Sequence, residues 1–146
     1  MQPFHVSVGD EVSFAKTVGE SDVYLFAGIT GDLSSNHVNE AVMAKTAFGR
    51  RIAHGVLLVG FMSTASTLMI EKTRGRGAAD ETPVSLGYDR IRFLEPVFIG
   101  DTVTVHYRIA DIDPERRRST SEIEVTNQHG RTVAVARHIL KWVAAP

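Results

Sequence analysis

The sequence predicts an α+β fold in which an antiparallel sheet wraps around one buried helix. Three observations support this: a strand-like segment near the N-terminus, an apolar run over 55–70, and four strand-like runs after residue 83 separated by turn residues. The 146 residues are 43% hydrophobic and 23% charged, enough for one domain with a packed core. We therefore expect a single domain over 1–146.

The N-terminal elements follow from local patterns. Apolar and polar residues alternate over 11–18, which predicts a half-buried strand. Glu20 or Ser21 can cap a short helix that ends at about Gly28, because apolar residues recur there at helical spacing.

Residues 32–39 are rich in Asp, Ser and Asn, whose side chains bond to nearby backbone and favour turns, so this segment is predicted to be a loop. Asn39 can cap a second short helix over 40–46. The run 55–70 is apolar on nearly every face and predicts a helix buried on most sides. It is too short and too rich in Ser and Thr for a membrane span of about 20 apolar residues.

The C-terminal half is predicted to be β-structure. A Gly- and Arg-rich connection over 72–82 has no apolar periodicity, and we expect it to be mobile. Turn residues then separate the remaining strands, which predicts an antiparallel meander. The four predicted strands cover 84–93, 101–112, 119–128 and 131–143.

Composition excludes several classes of function. A net charge of −1 and a pI near 6.6 disfavour nucleic acid and anionic membranes as partners, and we interpret Arg116–Arg118 as a hairpin tip. The absence of Cys excludes thiolate nucleophiles, disulfides and Cys-ligated metals. No signal peptide is recognisable at the N-terminus, so a soluble, cytoplasmic protein is expected.

One segment carries groups suited to catalysis. Asp32 and His37 lie five residues apart, and His54 and Gly55 follow at the head of the apolar helix. A carboxylate and an imidazole can exchange protons near neutral pH, and a helix N-terminus can stabilise an oxyanion. Taken singly, Asp32 suits a turn and His37 a surface histidine, so only the combination is informative.

Three stretches of the chain resemble MaoC-like (R)-specific enoyl-CoA hydratases: Phe26–His37, Ala47–Gly55 and Phe93–Val103. The resemblance spans most of the chain and implies the hotdog fold. It also implies hydration of a trans-2-enoyl-CoA to an (R)-3-hydroxyacyl-CoA in fatty acid metabolism. The family loop reads Gly-Asp-x-Asn-Pro-x-His, whereas Ser34-Ser35-Asn36 precede His37 here. Loss of the proline removes a φ constraint, so a different acyl preference, or loss of activity, would originate in this loop.

The resemblance also implies residue roles. Asp32 and His37 would hold the catalytic water, with the assignment of acid and base left open because a coupled pair shares its protons. The backbone N–H of Gly55 would be the oxyanion donor, unless Gly55 serves only close packing. Ser63 would be a polar active-site residue, unless it bonds back to its own helix.

The expected cofactors and partners follow from the implied substrate. Neither metal nor redox cofactor is expected, since no ligand cluster or dinucleotide motif appears and coenzyme A is part of the substrate. His54 is a candidate for contacting substrate or for orienting the loop. The cations proposed for the CoA phosphates are Arg50, Arg51, Arg74 and Arg76. The resemblance also implies a homodimer, or an oligomer of such dimers, because a lone hotdog leaves a sheet edge open.

Two other functions remain open at this point. A hotdog thioesterase also activates water with a carboxylate, but directs it at the thioester carbonyl. A non-catalytic acyl-CoA-binding module could keep the fold without the activity.

Overall fold

Residues 3–146 are described here from a computed structural model, and they form the expected α+β arrangement. One long helix lies against a single five-stranded sheet. In chain order the elements are β1 (Glu11–Thr17), α1 (Glu20–Thr30), α2 (Ser35–Val38), α3 (Glu40–Met43), α4 (Gly55–Lys72), β2 (Glu81–Phe93), β3 (Thr102–Asp113), β4 (Arg118–Thr126) and β5 (Thr132–Ala144).

The sheet is antiparallel, with strand order β1-β3-β4-β5-β2. Strands β3, β4 and β5 form the predicted meander. The expectation that β2 belongs to the same meander is wrong, because β2 pairs with β5 at the far edge and the chain then crosses to β3. Turn residues mark where strands end, but they do not determine which strands pair.

Helix α1 begins and ends differently from the prediction. Its N-cap is Gly19, whose N–H donates to the Asp22 carboxylate at 2.8 Å. The helix continues through Gly28 to Thr30, because burial of Val23 and Ala27 outweighs the modest cost of one glycine. Gly31, at φ 80°, ends it in the left-handed region that glycine tolerates.

The predicted loop over 32–39 contains a helical turn, α2, so that prediction is wrong in part. Ser34 caps this turn, with its Oγ 3.4 Å from the Asn36 N–H. The predicted N-cap Asn39 is confirmed, since its Oδ1 accepts from the Val42 N–H at 3.1 Å. Helix α3 ends at Met43, three residues before the predicted boundary.

Helix α4 supplies the centre of the core. It packs against β1 and β3, and it extends two residues beyond the predicted end. Its buried face carries Leu58, Phe61, Met62, Ala65 and Met69. The inward residues of β3, β4 and β5 oppose it, among them Val103, Val105, Tyr107, Ile123, Val125 and Ala136. No helix within 3–146 is both long and apolar enough to cross a membrane.

The segment before α4 is hydrogen-bonded both to α2 and to the segment that follows β2. Ile52 donates its N–H to Asn36 O at 3.0 Å, and Ala53 donates to Val97 O at 2.7 Å. Ile52 also forms an isolated β-bridge with Phe98. These bonds bring α2, the start of α4 and the segment after β2 to one end of the molecule.

Candidate active site

Asp32 lies in the tight turn between α1 and α2. Gly31 donates its N–H to Ala27 O at 2.9 Å, and the Asp32 N–H lies 3.2 Å from Thr30 Oγ1. One carboxylate oxygen of Asp32 accepts a long 3.4 Å bond from the Ser34 N–H. The side chain is otherwise exposed, so the carboxylate is free to accept further hydrogen bonds.

His37 lies on α2 with its ring oriented by the backbone. Its Nδ1 is 2.7 Å from Ile52 O. Because a carbonyl oxygen only accepts, Nδ1 carries the proton in the neutral ring. The Nε2 atom therefore keeps its lone pair and can accept a proton.

His54 is the N-cap residue of α4, and only 2% of it is exposed. Its Nε2 lies 3.0 Å from the main-chain oxygen of Asp32, so Nε2 donates to that carbonyl. Its Nδ1 is buried without a hydrogen-bond partner among the described residues. Two aromatic rings lie against it: the His37 ring centroid is 3.7 Å away at an interplanar angle of 27°, and the Phe26 ring centroid is 4.7 Å away.

The structure brings Asp32, His37 and His54 together. One potential ligand atom from each lies within 4.8 Å of the others. A carboxylate and two imidazoles form a donor set that transition metals accept. The same groups can hold a water molecule and exchange protons with it, which is the chemistry expected from the sequence.

Gly55 is the first residue of α4 and adjoins this cluster. The first N–H groups of a helix have no intrahelical acceptor and lie at the positive end of its dipole. No side chain caps α4; the Leu57 N–H donates to His54 O at 3.1 Å, whereas the Gly55 N–H has no acceptor among residues 3–146. The Phe93 ring also packs over Gly55: a Cβ built there would lie 2.7 Å from that ring. Glycine is therefore needed for packing, whatever its N–H does.

A cavity of about 340 Å³ opens beside His37 and Gly55. The rest of its lining is mostly apolar and includes Phe48, Leu58, Phe93, Leu94, Pro96 and Val97. A larger groove of about 670 Å³ lies on β1, β3 and β4 and touches none of the three clustered residues. The smaller cavity is the candidate binding site, because His37 and Gly55 line it.

Ser63 lies apart from the cluster. It is exposed on α4, eight residues after Gly55, or about 12 Å along the axis. No hydrogen bond between described residues joins it to Asp32 or His37, and its hydroxyl lies beside Tyr88. The pKa of Tyr88 is raised mainly by burial, and the hydrogen bond with the Ser63 hydroxyl acts in the opposite direction.

The four predicted phosphate-binding arginines differ in their partners. Arg51 bridges Glu20 and Glu40, each at 2.7 Å, and these bonds raise its pKa. Arg74 pairs with Glu71, and Arg76 pairs with Asp10. Within residues 3–146, only Arg50 of the four has no carboxylate partner; its guanidinium lies 4.0 Å above the Phe98 ring.

Three contributors to this site had no role assigned from the sequence. They are the Phe26 ring, the Ile52 carbonyl and the Phe93 ring. Phe26 and Phe93 belong to the stretches that resemble the hydratase family, but their spacing gives no indication of contact. A main-chain oxygen such as that of Ile52 has no sequence signal.

Comparison with known proteins shows the family to which the chain belongs. Residues 3–133 match the MaoC like domain. An (R)-specific enoyl-CoA hydratase of Rhodospirillum rubrum is 38% identical over 77% of this chain and 72% of its own length. A 3-hydroxybutyryl-CoA dehydratase of Methylorubrum extorquens is 37% identical over 78% and 67%. The (R)-hydratase structure from A. caviae superposes with a TM-score of 0.78 at 26% identity, covering 93% of this chain and 96% of that one. This chain belongs to the MaoC-like family and has the hotdog fold.

Proposed function

We propose that this protein is a hydro-lyase that reversibly hydrates a trans-2-enoyl-CoA to an (R)-3-hydroxyacyl-CoA. The observation that carries the proposal is the convergence of Asp32, His37 and His54 within 4.8 Å at the start of α4. The hydratase and dehydratase names of the relatives support the same reaction class.

In this reaction the Asp32–His37 pair holds one water molecule against the double bond. The water oxygen bonds to C3, a proton of that water passes to the pair, and the pair delivers a proton to C2. The net change is the addition of one water, and both side chains return to their starting state. His37 Nε2 and the Asp32 carboxylate can each accept the proton, and they act as a coupled pair.

The developing negative charge is on the thioester oxygen. The N–H of Gly55, at the uncapped start of an 18-residue helix, is the proposed donor to it. The apolar cavity beside Gly55 suits an alkyl acyl group, with the reacting carbons next to His37. Ser63 would contact the substrate farther along α4.

Coenzyme A enters as part of the substrate, and no separate cofactor is proposed. Arg50 is the proposed contact for its phosphates, since the guanidinium carries no carboxylate partner in the described part of the chain. Arg51 serves instead to join α1 to α3 through Glu20 and Glu40.

The second subunit of a homodimer is proposed to pair along β2. This strand is a 13-residue edge, and several of its apolar side chains are exposed, including Val84, Leu86 and Phe93. A long apolar edge promotes association with another strand. Light scattering after gel filtration should give twice the 16.0 kDa chain mass, or a multiple of that dimer. A cytoplasmic location remains a prediction from the sequence.

The reaction is tested by mixing the pure protein with crotonyl-CoA and following enoyl absorbance and free thiol together. Reversible loss of the enoyl signal without thiol release is expected. Thiol release without that reversible loss would establish the thioesterase alternative and refute the hydratase. No change on a panel of enoyl thioesters would favour a non-catalytic acyl-CoA-binding module.

A further inference from the structure

His54 makes contact with each part of the proposed site. It is the N-cap of α4 and directly precedes Gly55, the proposed oxyanion donor. Its Nε2 holds the main-chain oxygen of Asp32 at 3.0 Å, and its ring stacks on His37 at 3.7 Å. The proton-transfer pair and the oxyanion donor are therefore joined through one side chain.

The contacts of the two ring nitrogens indicate which tautomer this side chain adopts. The acceptor at Nε2 is a carbonyl oxygen, so Nε2 carries the proton. Nδ1 is buried and unpartnered among residues 3–146, and a proton there would create a buried cation without an acceptor. The contacts therefore fit the tautomer that carries its N–H at Nε2.

The ring stack restricts His37 as well. The His54 ring contacts the Phe26 ring at a centroid distance of 4.7 Å and stacks on the His37 ring at 3.7 Å. The His37 ring is further held by its 2.7 Å bond to Ile52 O. Stacking and this bond together set the orientation of the His37 ring, and with it the position of Nε2. Orientation matters because displacement of a catalytic group by about 1 Å can lower a rate by about 100-fold.

We propose that His54 is a positioning residue: its Nε2–H holds the Asp32 turn, and its ring holds His37, so that both act on one water beside Gly55. This rests on the proposed hydratase function. Substrate contact by His54 is not required, since the residue is 98% buried and acts through its neighbours.

Two variants separate the hydrogen bond from the stacking. His54→Gln keeps an N–H that can reach Asp32 O but lacks the ring, whereas His54→Phe keeps a ring and lacks the N–H. With crotonyl-CoA, His54→Phe should lower kcat about 100-fold, and His54→Gln about tenfold, because one restored hydrogen bond retains part of the alignment. KM should change by less than about threefold in both, since neither variant removes a binding contact. His129→Phe, at an exposed hairpin, is the matched control and should behave as wild type.

The tautomers supply a readout that does not depend on activity. Nitrogen-15 NMR of the imidazoles should show His54 as Nε2–H and His37 as Nδ1–H in the wild type, and the His37 signals should shift in His54→Phe. If His54→Phe does not fold, a kcat loss in His54→Gln at unchanged KM supports the proposal, and wild-type kcat in that variant refutes it.

The experiments distinguish failure of the proposed function from failure of the proposed role of His54. A wild-type protein without hydratase activity would refute the proposed function, and the tautomers would still test the arrangement. An active wild type with a folded, equally active His54→Phe, or a wild type with His54 protonated at Nδ1, would refute only the role of His54.

Discussion

The Phe93 ring occupies the space over Gly55 in which any other residue would carry its Cβ. A Cβ built on Gly55 would lie 2.7 Å from Phe93 Cδ2, closer than real contacts allow. This contact joins the end of β2 to the start of α4 and places an aromatic ring at the edge of the cavity. It explains the glycine independently of catalysis.

Gly55→Ala should therefore destabilise the protein by roughly 1–3 kcal/mol through overpacking, and it should also reduce kcat. Adding Phe93→Ala should recover part of that stability, giving a coupling between the two sites. Gly60→Ala is the matched control in the same helix, because a Cβ there meets nothing within 4 Å and alanine favours the helix. Denaturant unfolding at fixed protein concentration measures these effects. Equal destabilisation by both alanines would contradict the packing argument.

Asp32→Asn and His37→Gln should each lower kcat by about 10²–10⁴-fold, because each removes a proton-transfer group. The double variant should lose little more than either single variant, since the two side chains act as a unit. Rates with crotonyl-CoA and far-UV circular dichroism give the measurement and the folding check. Multiplicative losses in the double variant would argue for independent roles.

Arg50 and Arg51 should respond differently to replacement by alanine. Arg50→Ala should raise KM for crotonyl-CoA about tenfold, the equivalent of one charge-assisted contact. It should leave KM unchanged for crotonyl-N-acetylcysteamine, which lacks the CoA phosphates. Arg51→Ala should instead lower the free energy of unfolding by about 1 kcal/mol, because its guanidinium is bound to two exposed carboxylates. Similar KM changes for both thioesters in Arg50→Ala would exclude the phosphate contact.

Stability should fall below pH 6.5 because of His138 on β5. Its Nδ1 is 2.7 Å from Tyr107 Oη and its Nε2 is 2.7 Å from Ser85 Oγ. Burial lowers the pKa of His138 from 6.5 to about 4. Between these values the unfolded chain binds the proton more strongly, so the free energy of unfolding decreases as pH falls, by about 3 kcal/mol in total.

Unfolding measurements between pH 7.5 and 4 test this, with His138→Gln as the comparison. The variant should lose most of the slope between pH 6.5 and 4. Glu81 does not affect the measurement in this pH range. Hydrogen bonds from Arg117, and to a smaller extent from His5, lower the pKa of its carboxyl to about 2, so its contribution to the free energy of unfolding is lost only between pH 4.5 and 2. An unchanged slope in the variant would assign the effect to other groups.

Chelation should leave hydratase activity unchanged, because the proposed proton transfers need no Lewis acid. Added Zn²⁺ should inhibit reversibly, since Asp32, His37 and His54 place three ligand atoms within 4.8 Å of one another. Initial rates with EDTA, and then with graded Zn²⁺, measure both effects. Loss of activity in EDTA that Zn²⁺ restores would overturn the metal-free mechanism.

Much of the site follows from local sequence. Asn39 caps α3, and the apolar run from Gly55 forms the central helix, because a cap depends on one side chain and the adjacent backbone and a helix on a periodicity within a few residues. The resemblance to the hydratase family indicates Asp32 and His37 from the sequence alone. The helical turn α2 was missed because polar residues suit both turns and caps.

The sequence by itself determined the α+β class, the central helix, most of the other elements and the residues able to exchange protons, because these depend on local chemistry and spacing. Only the tertiary structure decided that β2 pairs with β5, that Phe93 packs on Gly55 and that Arg51 is held by two carboxylates. It also placed the His54 ring against the rings of Phe26 and His37. These contacts join residues that are distant in the chain. The same local patterns are compatible with many different pairings of elements, and close packing and hydrogen bonding in the folded molecule decide which pairing forms.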